Sequence, residues 1–196
     1  MGITAEEATV SMSNVTMDTN CIIALEQSGA EAQEVKRIIQ AHEAGLIALA
    51  VVAISASERT RTGVPLSSFA IFRGRLEMAG FRSVHILKPL ARIGLSFNGW
   101  AHQADGKKLE LERKIHGILF PQHPYEKPDP ADPDASARWQ NRRCDVLAMW
   151  AHIWHRGDIF MTNDRNFLTR QKRQALEALG AGRVVSPADV VRLVVP

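Results

Sequence analysis

Two stretches far apart in the chain decide the fold: VTMDTN at positions 15–20 and IFMTND at positions 159–164. Each is a short apolar run that ends in an aspartate flanked by small polar residues. A run of this kind predicts a buried strand, and ligands of parallel α/β sheets bind at the carboxyl ends of the strands. Asp18 and Asp164 therefore predict one acidic pocket assembled from distant parts of the sequence.

Helix and strand patterns alternate along the chain. Strands are also predicted at 46–54, 83–87 and 183–185, and the second aspartate follows a strand at 158–161. Helices are predicted at 19–27, 30–44, 67–79, 105–119, 142–156 and 166–179, with further helices beginning at Ser55 and Pro187. Five of the nine prolines fall between 121 and 133, which predicts a loop or insertion. The alternation predicts an α/β fold with a mainly parallel sheet.

The composition is typical of one globular domain. The 196 residues are 45% hydrophobic and carry a formal net charge of +3, which permits a polyanionic partner but is equally explained by a mixed solvated surface. No apolar run approaches the ~20 residues of a membrane helix, and the first residues do not resemble a secretory signal. With only Cys21 and Cys144, both expected to be buried thiols, we expect a cytoplasmic protein.

Two further acids join the strand-end aspartates. Glu58 follows the predicted strand at 46–54, and Asp145 lies early in the predicted helix at 142–156. Any one of these acids alone is more often a helix cap, but four carboxylates close together must be protonated or neutralised by a cation. A ligand set made only of oxygen favours Mg²⁺ or Mn²⁺. The joint arrangement therefore predicts a metal site.

At this point the sequence resembles a known family. DTN at 18–20, Glu58, RCDVLA at 143–148 and TNDRNF at 162–167 are similar to motifs of the PIN-domain (PilT N-terminus) nucleases. The resemblance covers about 14–62 and 140–192. It implies a three-layer α/β/α sandwich over 14–196, with an insertion at about 63–139 and an N-terminal extension at 1–13. Asn166 departs from the family, because many relatives carry an acid there.

The resemblance also implies an activity, the hydrolysis of phosphodiester bonds in RNA, with single-stranded DNA as another substrate. The implied ligands of Mg²⁺ or Mn²⁺, which would activate a water, are Asp18, Glu58, Asp145 and Asp164. The implied polar supports are Asn20, Thr162 and Asn163. One setting is the toxin of a toxin–antitoxin pair, held by an antitoxin-like protein; the other is a housekeeping or defence-linked nuclease. The alternative from another class is a non-catalytic module that binds nucleic acid or protein.

Basic and aromatic residues flank the acids in sequence. Arg138, Arg142 and Arg143 precede Asp145, and Arg165, Arg170, Lys172 and Arg173 follow Asp164. We take Arg142, Arg143 and Arg165 as candidate phosphate ligands, although solvated helix faces would show the same pattern. Trp139 and Tyr125 could stack on an unpaired base, but Trp139 is more typical of an anchor for the loop.

Other patterns in the sequence are weaker indications of function. A haloacid-dehalogenase-type phosphatase needs an aspartate two positions after Asp18, where this chain has Asn20, and no glycine-rich phosphate loop is present. His152 and His155 have a spacing that zinc sites use, but no ligand motif accompanies them, so surface or interface histidines are predicted. Trp150 and Trp154 on the same helix suggest an interface, such as that of a homodimer.

Overall fold

Five parallel strands form the central sheet of the described part of the chain. The computed structural model describes residues 12–54, 69–81, 83–97, 99–129 and 131–194. Its strands are β1 Ser13–Met17, β2 Ile47–Val52, β3 His85–Leu87, β4 Ile159–Met161 and β5 Arg183–Val185, in the order β3-β2-β1-β4-β5. All four neighbouring pairs are parallel. The predicted α/β class is confirmed.

Helices cover both faces of this sheet. They are α1 Thr19–Glu26, α2 Ala32–Glu43, α3 Phe69–Met78, α4 Gly106–Leu119, α5 Pro133–Trp154, α6 Arg165–Leu168, α7 Arg170–Leu176 and α8 Pro187–Val194. One apolar cluster joins α1, α2, α3 and α8 to β1 and β2. A second joins α4, α5, α6 and α7 to β4 and β5. The result is a three-layer α/β/α sandwich.

The short strand β4 shows why the strands of this sheet are continuous apolar runs. Ile159 and Met161 belong to the first cluster, whereas Phe160 between them belongs to the second. Successive side chains of a strand point to opposite faces, and both faces of this sheet are covered by helices. Every position must therefore be apolar, and the strand reads as a continuous run.

The long helix α5 begins earlier than predicted. The sequence predicted a start at Arg142, but the helix begins at Pro133. The side chain of Asp132 accepts a hydrogen bond from the backbone N–H of Ala135, and Pro133 lies in the first turn, where its missing N–H does no harm. Asp145 consequently lies in the middle of α5, and the prediction that it lies early in a helix is wrong.

The predicted helix at 166–179 is not continuous either. Thr169 has an extended backbone (φ −57°, ψ 126°) and separates α6 from α7, which continues into a π-helical turn at Glu177–Ala181. The helix expected from Ser55 lies outside the described residues. Within 63–139, β3 forms an edge of the sheet beside β2, and α4 packs against α5.

Two further findings concern surfaces. Among the helices of the described ranges, none combines the length and the apolar character needed to cross a membrane. Trp150 is fully buried and donates from Nε1 to the carbonyl oxygen of Lys108 at 3.0 Å. Its ring stacks on that of Trp154, with 5.2 Å between the centroids. Of the two tryptophans expected at an interface, only Trp154 is exposed, because Trp150 belongs to the core.

Candidate active site

The two strand-end aspartates lie where the order of the strands reverses. From β1 the chain proceeds to β2 and β3 on one side, and β4 and β5 lie on the other. Asp18 directly follows β1, and Asp164 follows β4 by three residues. In open parallel sheets this reversal leaves a crevice at the carboxyl ends of the strands, where ligands bind. The site predicted from the sequence therefore occupies the topological switch point.

Asp18 is a buried carboxylate, only 7% exposed. Its Oδ2 accepts a hydrogen bond of 2.7 Å from the hydroxyl of Thr162, and its backbone N–H donates to the carbonyl oxygen of Met161 at 2.9 Å. Burial raises the pKa of Asp18 to about 6; the hydrogen bond from Thr162 opposes this rise, and the charge of Asp164 adds to it. Asp18 is therefore held in a place that disfavours its own charge.

Asp145 reaches the same site from α5. Burial raises its pKa to about 8, and the charges of Asp18 and Asp164 push it further in that direction. Within the described ranges no hydrogen bond reaches its carboxylate. The structure thus brings three of the four predicted acids close enough to repel one another, and Glu58 lies outside the described residues.

A small polar network holds the aspartates of the strand ends. The hydroxyl oxygen of Thr162 accepts hydrogen bonds from Asn20 Nδ2 at 3.1 Å and from the backbone N–H of Asp164 at 3.0 Å. With both acceptor positions occupied, its single proton is directed to Asp18. Asn20 Oδ1 in turn accepts from the backbone N–H of Asn163 at 3.5 Å. Asn20, Thr162 and the backbone of Asn163 thus form one hydrogen-bonded chain that ends on Asp18.

Asp164 also begins a helix. Its Oδ1 accepts from the backbone N–H of Asn166 at 2.8 Å, which caps α6. The side-chain oxygen of Asn166 accepts from the ammonium group of Lys172, which also donates to the carbonyl oxygen of Leu119 at 2.7 Å. The amide nitrogen of Asn166 is buried with no hydrogen-bond partner among the described residues. Lys172 therefore joins α7 to the end of α4 beside the acidic site.

The donor set fits a hard divalent cation. Asp18, Asp145 and Asp164 offer only oxygen, and within the described parts of the chain no lysine, arginine or histidine forms an ion pair with them. Among the described residues, no group of three or more His, Cys, Asp or Glu side chains is already arranged to hold a metal ion. Mg²⁺ needs only one or two carboxylates, because it keeps several of its waters. The uncompensated negative charge is what such an ion would relieve.

The three arginines proposed as phosphate ligands lie in different places. Arg165 is exposed at the start of α6, and Arg142 is half-buried. Arg143 is only 4% exposed; its Nη1 lies 3.4 Å from Glu112 Oε1, and its guanidinium carbon lies 3.8 Å from the centre of the Tyr125 ring. Sequence reasoning missed Glu112, because a glutamate in an amphipathic helix reads as a surface residue.

The histidines do not form a zinc pair. His152 is fully buried, which contradicts its predicted surface position, and burial lowers its pKa to about 4. Its Nε2 lies 2.8 Å from the carbonyl oxygen of Ala181, so this nitrogen carries the proton, and Nδ1 accepts from the hydroxyl of Thr16 at 2.8 Å. His155 instead lies 3.1 Å from the carbonyl oxygen of Lys88. The structure thus places His152 in the core and leaves His155 half-buried against the backbone of Lys88.

The site is thus an acidic crevice formed by three aspartates from β1, α5 and the end of β4. Asn20 donates a hydrogen bond to Thr162, and Thr162 donates one to Asp18, so these two residues hold the Asp18 carboxylate in place. No protein-family model matches the chain, and comparisons with curated proteins and with solved structures give no significant match.

Proposed function

We propose that the protein is a ribonuclease that depends on Mg²⁺ or Mn²⁺ and hydrolyses phosphodiester bonds. In this proposal it is an endonuclease, which cuts within the RNA chain. One observation carries the proposal: at the switch point Asp18 and Asp164 both raise the pKa of Asp145, Asp164 also raises that of Asp18, and no described residue is a cationic partner of these carboxylates. A protein that merely binds polyanions gains nothing from a negative crevice. A cation bound there would polarise the phosphodiester and lower the pKa of an attacking water.

The residues of the crevice have separate roles in this proposal. Asp18, Asp145 and Asp164 hold the cation, with Glu58 as a further ligand or a base that orients the water. Thr162 keeps the lone pairs of Asp18 Oδ2 in a fixed direction through its 2.7 Å hydrogen bond, and Asn20 holds Thr162. Positioning of this kind lowers the barrier because the ligands need not reorganise during the reaction.

Phosphates of the substrate would be held at the rim of the crevice. Arg165 is exposed one residue after Asp164, and Arg170 is exposed at the start of α7. Exposed guanidinium groups beside an acidic metal site allow a polyanion to approach carboxylates that would otherwise repel it. Arg142 is a third candidate, whereas the buried Arg143 does not lie on this rim.

Cleavage of a labelled single-stranded RNA, with single-stranded DNA in parallel, tests the proposal. Changes to residues that surround metal ligands typically lower activity by about 10- to 100-fold. Asp164→Asn removes a proposed ligand itself, so it should reduce the rate of cleavage with Mn²⁺ by more than that. Asp158→Asn is the matched control, because Asp158 is exposed at the amino end of β4, away from the carboxyl ends of the strands, and its side chain accepts from the backbone N–H of Asn14. Equal rates for wild type and Asp164→Asn would refute the proposal.

A non-catalytic binding module is the second candidate. The observation in its favour is that no three potential ligands of the described ranges are already arranged around one point. Calorimetry with Mn²⁺ separates the two candidates: the nuclease takes up the ion and loses this uptake in Asp164→Asn, whereas the module takes up none.

The cellular setting is a proposal as well. Cys21 and Cys144 are both buried, which suits the reducing cytoplasm proposed for this protein. An antitoxin-like partner would be recognised by co-purification and by inhibition of cleavage. Exposed Trp154 is where a partner or a second copy of the chain would be sought first.

A further inference from the structure

The side chain of His155 meets that of His102 rather than that of His152. His155 lies directly after α5, and His102 lies in the segment between β3 and α4. Their Nε2 atoms are 3.3 Å apart, and His155 Nε2 also lies 3.1 Å from the carbonyl oxygen of Lys88. Two ring nitrogens and one backbone oxygen, from parts of the chain 53 and 67 positions apart, thus lie together around His155 Nε2.

One hydrogen atom does not satisfy these contacts. A nitrogen of a neutral imidazole carries either a proton or a lone pair. If His155 Nε2 carries the proton, it must be shared between His102 and the carbonyl oxygen of Lys88. If His102 Nε2 carries it instead, the lone pair of His155 faces the lone pairs of that oxygen. A cation between the three atoms resolves this conflict, because each atom then directs a lone pair at the positive charge.

The distance between the two nitrogens is that of two ligands of one metal ion. Zn–N bonds of about 2.0–2.1 Å at a tetrahedral angle place two imidazole nitrogens about 3.3–3.4 Å apart. Imidazole suits zinc, copper and nickel, whereas Mg²⁺ prefers oxygen. We propose that His102 Nε2 and His155 Nε2, together with the carbonyl oxygen of Lys88, bind a divalent cation of this group, such as Zn²⁺. Among the described residues no third His, Cys, Asp or Glu joins them, so water completes the coordination.

The backbone around each ligand is already fixed. The N–H of His102 donates to the carbonyl oxygen of Pro89 at 2.8 Å, and its own carbonyl accepts from Ala91 at 2.8 Å, which ties it to the segment after β3. The N–H of His155 donates to the carbonyl oxygen of Ala151, in the last turn of α5, at 2.9 Å. Ligands that are held in place lose little freedom on binding. A bound ion would therefore join the segment after β3 to the end of α5.

Two lysines near His102 are held by other groups. Lys108 Nζ forms an ion pair with the carboxylate of Asp105, and Lys88 Nζ lies 4.7 Å from the centre of the Trp100 ring. Burial lowers the pKa of His102, and the charges of these two lysines add to this effect. The imidazole of His102 is therefore neutral near pH 7, which is the form that binds a metal.

Calorimetry of the full-length chain with ZnCl₂, in excess Mg²⁺, tests the site. His102→Gln and His155→Gln should each weaken Zn²⁺ binding by more than about 10-fold, because each removes a ligand and changes beside ligands already cost that much. His123→Gln is the matched control, since His123 is an exposed histidine of the loop after α4 and should leave the affinity unchanged.

Asp164→Asn distinguishes this site from the acidic crevice. The variant should bind Zn²⁺ like the wild type, because none of the three proposed ligands belongs to the crevice. The inference does not rest on the proposed function: Zn²⁺ binding that depends on His102 and His155 supports it even if no form of the protein cleaves RNA.

Nitrogen NMR of the imidazole rings tests the wild type without any substitution that could disturb the fold. Zn²⁺ should shift the Nε2 resonances of two of the seven histidines, which His102→Gln and His155→Gln then assign. Zn²⁺ affinity that is unchanged in either of these two variants would overturn the proposal. Loss of Zn²⁺ binding in Asp164→Asn, or a titration in which no imidazole Nε2 shifts, would overturn it as well.

Discussion

Replacing Asp18 by asparagine should stabilise the metal-free protein. The pKa of this buried carboxyl is raised from 3.8 to about 6, mainly by burial. A raised pKa means that the folded state binds more protons than the unfolded state between these two values. The free energy of unfolding therefore falls as the pH rises through that window, and above pH 6 the full penalty is present. Asparagine removes the charge and keeps an oxygen that can accept from Thr162.

The size of this effect follows from the shift. A change of about two pKa units corresponds to about 3 kcal/mol, which is the stability that Asp18→Asn should gain at pH 8. For a chain of this length the melting temperature should rise by about 6 to 12 °C. At pH 5 the carboxyl of the folded wild type is mostly protonated, so the gain should be about half as large.

Urea unfolding in EDTA at pH 5 and pH 8 provides the assay, with Asp158→Asn as the control for loss of an exposed carboxylate. The expected pattern is a gain for Asp18→Asn that grows with pH, and no gain for the control. If Asp18→Asn is no more stable than the wild type at pH 8, the crevice does not disfavour charge, and the electrostatic reasoning is wrong.

Three further results are expected. Because the pKa of Asp145 is about 8, Mn²⁺ binding at pH 7 should release protons from the wild type. Calorimetry in buffers of different ionisation enthalpy counts these protons, and Asp145→Asn should release fewer of them. Thr162→Val should raise the pKa of Asp18 above about 6 by removing its hydrogen bond, whereas Thr162→Ser should not; carboxyl NMR measures both. Gly157→Ala should destabilise the fold by about 1–3 kcal/mol in urea, because its Cβ would lie 2.3 Å from His152 Nδ1; an unchanged midpoint would contradict this.

The sheet and its acidic ends could be predicted because their signals are local. A strand covered on both faces must be apolar throughout, and the polar residue that follows it marks its end. Asp18 and Asp164 could therefore be located from short stretches. Their meeting required only that the strands be parallel, which the alternation of helices and strands indicates.

The contacts of buried Glu112 with Arg92, Tyr125 and Arg143 could not be predicted, because they are single contacts between distant segments. Glu112, Arg92 and Tyr125 follow no periodicity, and each is typical of a surface when considered alone. The early start of α5 was different: Asp132 followed by Pro133 is a recognised helix start, but the surrounding prolines suggested a loop. His152 was misplaced because its hydroxyl partner on β1 is 136 positions away.

A crystal structure of the protein with Mn²⁺ tests the central claim most directly. The anomalous signal of manganese should appear at the carboxyl ends of β1 and β4, in contact with at least one of Asp18, Asp145 and Asp164, and should vanish in Asp164→Asn. Manganese at saturating concentration that leaves this crevice empty would contradict the account.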